Sequence, residues 1–139
     1  MNYKLHIIGG NKMTDKEAIE ISELIIKQVV DCLSEKRYDY MEHYADFENG
    51  WTAEDMEKFI EGCLELNELS HIDKYDVPCN FNPKYEYHQL KVYVYNNGKG
   101  FATDYDLTTD SEINDFTLQM EFLFTDKGIK AYILDVHIL

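Results

Sequence analysis

The chain has 139 residues, 45% of them hydrophobic, and 13 basic side chains against 27 acidic ones, for a formal charge of −14. That size suits one domain, and eleven Tyr with seven Phe furnish a core and argue against global disorder. The charge excludes nucleic acid and anionic membrane as direct partners, because each approach is repulsive, and it favours cationic ones.

Tyr3 to Ile8 reads as a short strand stopped by Gly9-Gly10. "TDKE" at 14–17 has the capping-box pattern, Thr14 at the cap and Glu17 three residues on, and predicts a helix to about Leu33. Ala18, Ile21, Leu24, Ile25, Val29 and Cys32 recur at helical spacing and form its buried face. Ser34 is placed to cap a second, shorter helix through "EKRYDYMEHYA", with Tyr38, Met41 and Tyr44 inward. "ENGW" at 48–51 is a turn. Thr52 with Asp55 repeats the cap pattern, and a third helix runs over about 53–67.

The stretch 68–83, with Pro78, Pro83 and two asparagines in "YDVPCNFNPKY", reads as an irregular connector. After it the hydrophobic period drops from about 3.6 to 2. "YEYHQLKVYVY" at 85–95 sets Leu90, Val92 and Val94 against Lys91, Tyr93 and Tyr95, and "NNGKG" is a hairpin turn. Phe101, Thr103, Tyr105 and Leu107 share the next face; Phe116, Leu118, Met120, Phe122 and Phe124 share the one after. "TDKG" turns the chain, and the last strand puts Tyr132, Leu134, Val136 and Ile138 on one side. The expected fold is a single α+β domain: three N-terminal helices on one face of a curved, four-stranded antiparallel meander.

"MNYKLHIIGG" is too short and too polar for a signal peptide, and no apolar run reaches the roughly 18 residues of a spanning helix. The three cysteines, Cys32, Cys63 and Cys79, include no CxxC pair and read as reduced thiols. These features place the protein in a cytoplasm, and the Lys, Asn, Ile and Tyr-rich composition points to a bacterial one.

An opening amphipathic helix, "LSEKRYDYMEHYADF", a third helix and a curved sheet together resemble the nuclear-transport-factor-two-like cone superfamily, which includes SnoaL-like and ketosteroid-isomerase-like proteins. The closing half, "ATDYDLTTDSEINDFTLQMEFLFTDKGIKAYILDVHIL", is similar to small bacterial members, although Thr108 stands where a Trp is expected. The resemblance implies a cone, a homodimer through the sheet, and one of several roles: isomerase, hydratase, dimer module or toxin immunity protein. Fold likeness alone does not choose among these.

The chemistry is led by "EDMEKFIEGCLELNE", residues 54–68. At about 100° per residue, Glu54, Glu57, Glu61, Glu65 and Glu68 fall within roughly 80° of arc, opposite Met56, Phe59, Ile60, Cys63 and Leu66. Like charges four apart on a helix cost about 0.2–0.5 kcal/mol per pair, and the later ones face the unfavourable end of the dipole. Only Lys58 offsets them locally, and residues 34–83 carry −9 of the total −14. A solvated helix face accounts for such a row; so does a surface for a basic protein.

"DYDLTTDSEIND" matches a calcium-loop spacing through Asp104, Asp106, Thr108, Asp110, Glu112 and Asp115. The template's glycine is Thr109 and its final Glu is Asp115, so a polar turn with outward carboxylates is the better account. No HExxH, short-spaced Cys/His cluster, GxSxG or phosphate loop occurs, and no metal or cofactor is expected. His43 lies within helical reach of Asp46, a surface pair rather than an acid–base dyad. Tyr40, Tyr44, Trp51, Tyr93 and Tyr105 are candidates to line a pocket, with Asp135 and His137 ambiguous in their facing. The leading expectation is a non-catalytic acidic binding protein that neutralises a basic, nuclease-like toxin domain. It would use Glu57, Glu61, Glu65 and Glu68, aided by Asp104, Asp106 and Asp110. The alternative is a SnoaL-like small-molecule enzyme or ligand-binding module.

Overall fold

The computed structural model describes residues 15–138. The expected strand Tyr3 to Ile8, its Gly9-Gly10 stop and the Thr14 cap lie outside the described residues. Helix α1 spans Asp15–Ser34. It buries Ala18, Ile21, Ile26, Val29, Val30 and Leu33, whereas Leu24, expected inward, is 41% exposed.

Ser34 does not open a second α-helix. It closes α1, because Lys36 takes the left-handed conformation at φ 58° and the Arg37 N–H turns back to the Cys32 carbonyl at 2.9 Å. The chain then forms one stretch of 3-10 helix, Tyr38–His43, which buries Tyr38 and Met41 and leaves Tyr44 outside. Strand β1, Asp46–Phe47, comes next, and helix α2, Ala53–Leu66, lies beyond the turn. After the irregular connector come β2 (Leu90–Val94), β3 (Gly100–Thr109), β4 (Glu112–Thr125) and β5 (Gly128–Ile138).

The architecture is α+β, but the expected four-stranded meander is corrected. The sheet has five strands in the order β1-β5-β4-β3-β2, and it is mixed. β1 pairs in parallel with β5, Asp46 opposite Tyr132 and Phe47 opposite Ile133. A strand of two residues displays no period, so nothing in the pattern announces it. It also interrupts the helices, so they do not form one N-terminal block.

The meander β2 to β5 keeps the expected alternation with two departures. Between β4 and β5 the register jumps: Gln119 faces Asp135 but Met120 faces Ile133, which leaves Leu134 unpaired. The core-facing residues of β5 are therefore Ala131, Ile133 and Val136, not Tyr132, Leu134 and Ile138. Between β3 and β4, Asp106 faces Thr117 while Thr108 faces Ile113, so β4 carries extra residues around Asp115. Phe101, Tyr105, Leu107, Phe116, Leu118, Met120 and Phe122 fill the space under α1 and the 3-10 helix, with Phe101 stacked on Phe122 at 4.9 Å. No helix among the described residues is long and apolar enough to cross a membrane.

Candidate functional site

The acidic helix α2 starts on a complete capping box. The Thr52 hydroxyl accepts from the Asp55 N–H at 3.3 Å, and the Asp55 carboxylate accepts from the Thr52 N–H at 2.8 Å. Met56, Ile60, Cys63 and Leu64 face the core. The five glutamates divide into two groups. Glu54 is paired with Lys58 at 3.4 Å, both side chains about three-quarters exposed. Glu61 is paired with Lys36 at 3.1 Å and accepts from the Tyr38 hydroxyl at 3.3 Å. Burial and the neighbouring Glu61 push the Tyr38 phenol well above its ordinary value, so it stays a donor.

Glu57, Glu65 and Glu68 are exposed and meet no basic side chain among the described residues. The last turn of α2 has no basic residue, so the negative end of the helix dipole adds to the field of Glu65 and Glu68. Leu66, expected on the buried side, is 85% exposed, because the helix ends there and carries it past the core.

The β3 carboxylates do not extend this surface as a set. Asp106 accepts from the Tyr87 hydroxyl at 2.7 Å, the Thr117 hydroxyl at 2.9 Å and Lys91 at 3.3 Å, with its side chain only 15% exposed. It is an internal anchor. Asp104 is half-buried on the sheet face away from the core, between Lys91 and Gln119. Asp110 is exposed at the β3–β4 turn, where it and Ser111 both have positive φ, 52° and 69°, the pattern of a type I′ turn. The calcium-loop spacing is thus laid out along a hairpin rather than wrapped round one point.

The turn is clamped by a residue of the connector. Asp73 accepts from the Thr108 hydroxyl at 2.8 Å, the Ser111 N–H at 2.8 Å and the Asp110 N–H at 3.0 Å. Burial alone would raise its carboxyl; these bonds, with His71 nearby, outweigh it and hold the group below the usual carboxylate range. His71 Nε2 lies 3.2 Å from Asp73 and 3.5 Å from Asp110, and the Ser70 hydroxyl is 2.7 Å from Nδ1. This is the one group among the described residues that brings three metal-capable donors within 4.8 Å. Its Asp73 oxygens are already engaged by the turn, so the arrangement works as a clasp between connector and hairpin. The spacing of His71 and Asp73 is visible in the chain; their meeting with Asp110 is not.

The candidate pocket rings are dispersed. Tyr40 stacks on His43 at 5.2 Å and carries Arg37 over its ring; with Tyr44 it lines a shallow depression of about 140 Å³. Trp51 packs edgewise on Phe59 at 5.5 Å. Tyr93 is 51% exposed on the outer side of β2. Tyr105 is buried against Tyr75 at 4.9 Å and borders a cleft of about 360 Å³ that also holds Glu23 and Asp76. There, burial first and then Asp76 and Glu20 raise the Glu23 carboxyl, and burial pushes the Tyr105 phenol up to about 12. Asp135 is half-buried and His137 exposed, both clear of the core face. Cys32 and Cys63 are buried, the three cysteines form no disulfide with one another, and burial raises both buried thiols, which makes them inert.

A family model described as a domain of unknown function, DUF7668, matches residues 30–139. No curated protein and no solved structure matches the chain.

Proposed function

The chain belongs to the DUF7668 family, and on that premise, which brings no activity with it, we propose that it is a non-catalytic cytoplasmic binding protein. Its target would be a basic protein surface, such as that of a toxin domain neutralised by an immunity protein. The observation that supports this reading is the outward side of α2. Glu57, Glu65 and Glu68 lie there uncompensated among the described residues, and Leu66 at the end of the helix is 85% exposed. These side chains steer a cationic partner, and the exposed Leu66 at the helix end offers it apolar surface to desolvate. Glu61 and Asp106, tied to Lys36 and Lys91, are left out of the docking set. The packed interior under the helices agrees with a binder better than with a hollow enzyme.

The test is binding of the full chain to the product of the adjacent gene at low and high salt. Affinity should fall steeply with salt, and Glu57→Lys with Glu65→Lys should slow association by about tenfold or more. Indifference to both salt and charge reversal would remove the reading.

A second reading is a small-molecule module of the nuclear-transport-factor-two-like kind. Glu23, with its raised carboxyl beside Tyr75 and Tyr105 in the cleft of about 360 Å³, is the observation in its favour. A ligand there should perturb those two rings and be lost in Glu23→Gln.

A further inference from the structure

The connector and the β4 bulge enclose a pocket of about 230 Å³, lined by Phe81, Tyr85, Tyr87, Asp106, Asp115 and the strand residues around them. We propose that this pocket receives a lysine or arginine side chain of a basic polypeptide, held by its aromatic rings and by the Asp115 carboxylate.

Three rings from one short segment form its corner. Phe81 meets Tyr87 edge to face at 4.7 Å and 82°, and Tyr85 at 6.5 Å and 64°, and all three residues line the pocket. A ring face is the negative side of the aromatic quadrupole and attracts cations. The Asp115 carboxylate adds to that field, whereas Asp106 is already paired with Lys91. Asp106 forms the inner wall, and its bond from Tyr87 fixes that ring. Asp115 stands at the rim, exposed, with no hydrogen bond or ion pair to another described residue. The bulge puts it there: β4 carries extra residues between Ile113 and Thr117, and Asp115 takes φ 64° as Phe116 turns into the core.

The chain already displays this recognition chemistry once. The Lys91 ammonium lies 5.5 Å from the Tyr87 ring centre and 3.3 Å from Asp106. With Tyr87 and Asp106 so engaged, what the pocket offers to a cation from outside is Phe81, Tyr85 and Asp115. Its volume is below the roughly 300–1,000 Å³ of drug-sized ligand sites, which suits one side-chain head. The exposed Asp115 and a chain charge of −14 repel anions. The inference rests on the acidic-binder reading only for the source of the cation; the pocket lies on the connector and sheet, apart from α2.

The experiment tracks the aromatic NMR signals of the full-length protein during titration with N-acetyl-arginine methylamide, N-acetyl-lysine methylamide, a neutral citrulline analogue and tetramethylammonium. Saturable shifts of the Phe81, Tyr85 and Tyr87 rings are expected with the arginine or lysine amide, and none with the citrulline analogue. Tyr85→Ala and Asp115→Asn should each weaken binding roughly two- to fivefold. Both side chains are exposed, and asparagine keeps the left-handed preference, so both variants should fold. Absent saturation, an equal citrulline response, or unchanged affinity in Tyr85→Ala would overturn the proposal. So would saturation by tetramethylammonium alone, which would assign the site to a free quaternary ammonium. The variant Glu57→Gln, Glu65→Gln, Glu68→Gln should bind the amides as the parent does. Weakened amide binding there would trace the shifts to net charge and overturn the pocket, while pocket failure alone leaves the α2 surface standing.

Discussion

Asp73 ties the connector to the β3–β4 hairpin through its carboxylate. Three donors from β3 and the turn converge on its carboxylate. Asp73→Asn should cost about 2 kcal/mol in urea unfolding at neutral pH, the order expected for losing hydrogen bonds to a buried charge. The lowered carboxyl sets the sign of the pH dependence. The stabilisation is fully present above the unfolded value of about 3.9 and is lost as pH falls through the lower folded value. The gap between parent and variant should therefore close in strong acid. Thr103 gives the opposite case. Its hydroxyl is buried with no hydrogen-bond partner among the described residues. Thr103→Val keeps the shape and removes an unsatisfied group, so it should raise stability by about 1 kcal/mol, read as a higher unfolding midpoint. The role of Asp73 is not legible in the chain, where it reads as one more carboxylate in an irregular connector, because it finds its partners through tertiary structure that no local spacing records. The facing of Thr103 is legible, since alternation sets it with Phe101, Tyr105 and Leu107.

At the level of elements, local chemistry is readable where it is self-contained. The Thr52–Asp55 box needs only four consecutive residues, and α2 forms where that pattern predicts it. Thr52→Ala should cost about 1 kcal/mol in thermal or urea unfolding. Alternation places the core faces of β3 and β4 through Phe101, Tyr105, Leu118 and Phe122. It fails on β5, because the unpaired Leu134 moves every earlier residue to the other face. It fails again at β1, whose two residues are a strand only because β5 lies beside them. Gly100 is a further element-level constraint. A Cβ there would lie 2.1 Å from the Phe122 carbonyl oxygen, a backbone atom of the neighbouring strand. Gly100→Ala should force β3 away from β4 and cost at least about 3 kcal/mol, measured by urea unfolding.

Over the whole molecule the charge of −14 works in two directions. It steers cations and at the same time strains the folded chain by self-repulsion. Replacing Glu57, Glu65 and Glu68 by glutamine should raise the thermal midpoint of the free protein by about 1–2 °C, from relieved like-charge contacts. The same replacement should weaken partner binding and flatten its salt dependence. A surface retained only for solubility would give the first effect without the second. The aromatic corner at Phe81, Tyr85 and Tyr87 has no such signal in the chain, since it depends on a bulge contributed by a strand some thirty residues later.

The parallel pairing of Asp46 and Phe47 with Tyr132 and Ile133 sets an order of events. During synthesis the first half can coil its helices early, but the edge strand finds its hydrogen-bonding neighbour only once the closing strand has left the ribosome. Until then one flank of the growing sheet stays open, and a nascent chain stalled before that point would present it to other chains, a task for chaperones rather than for this sequence's own contacts.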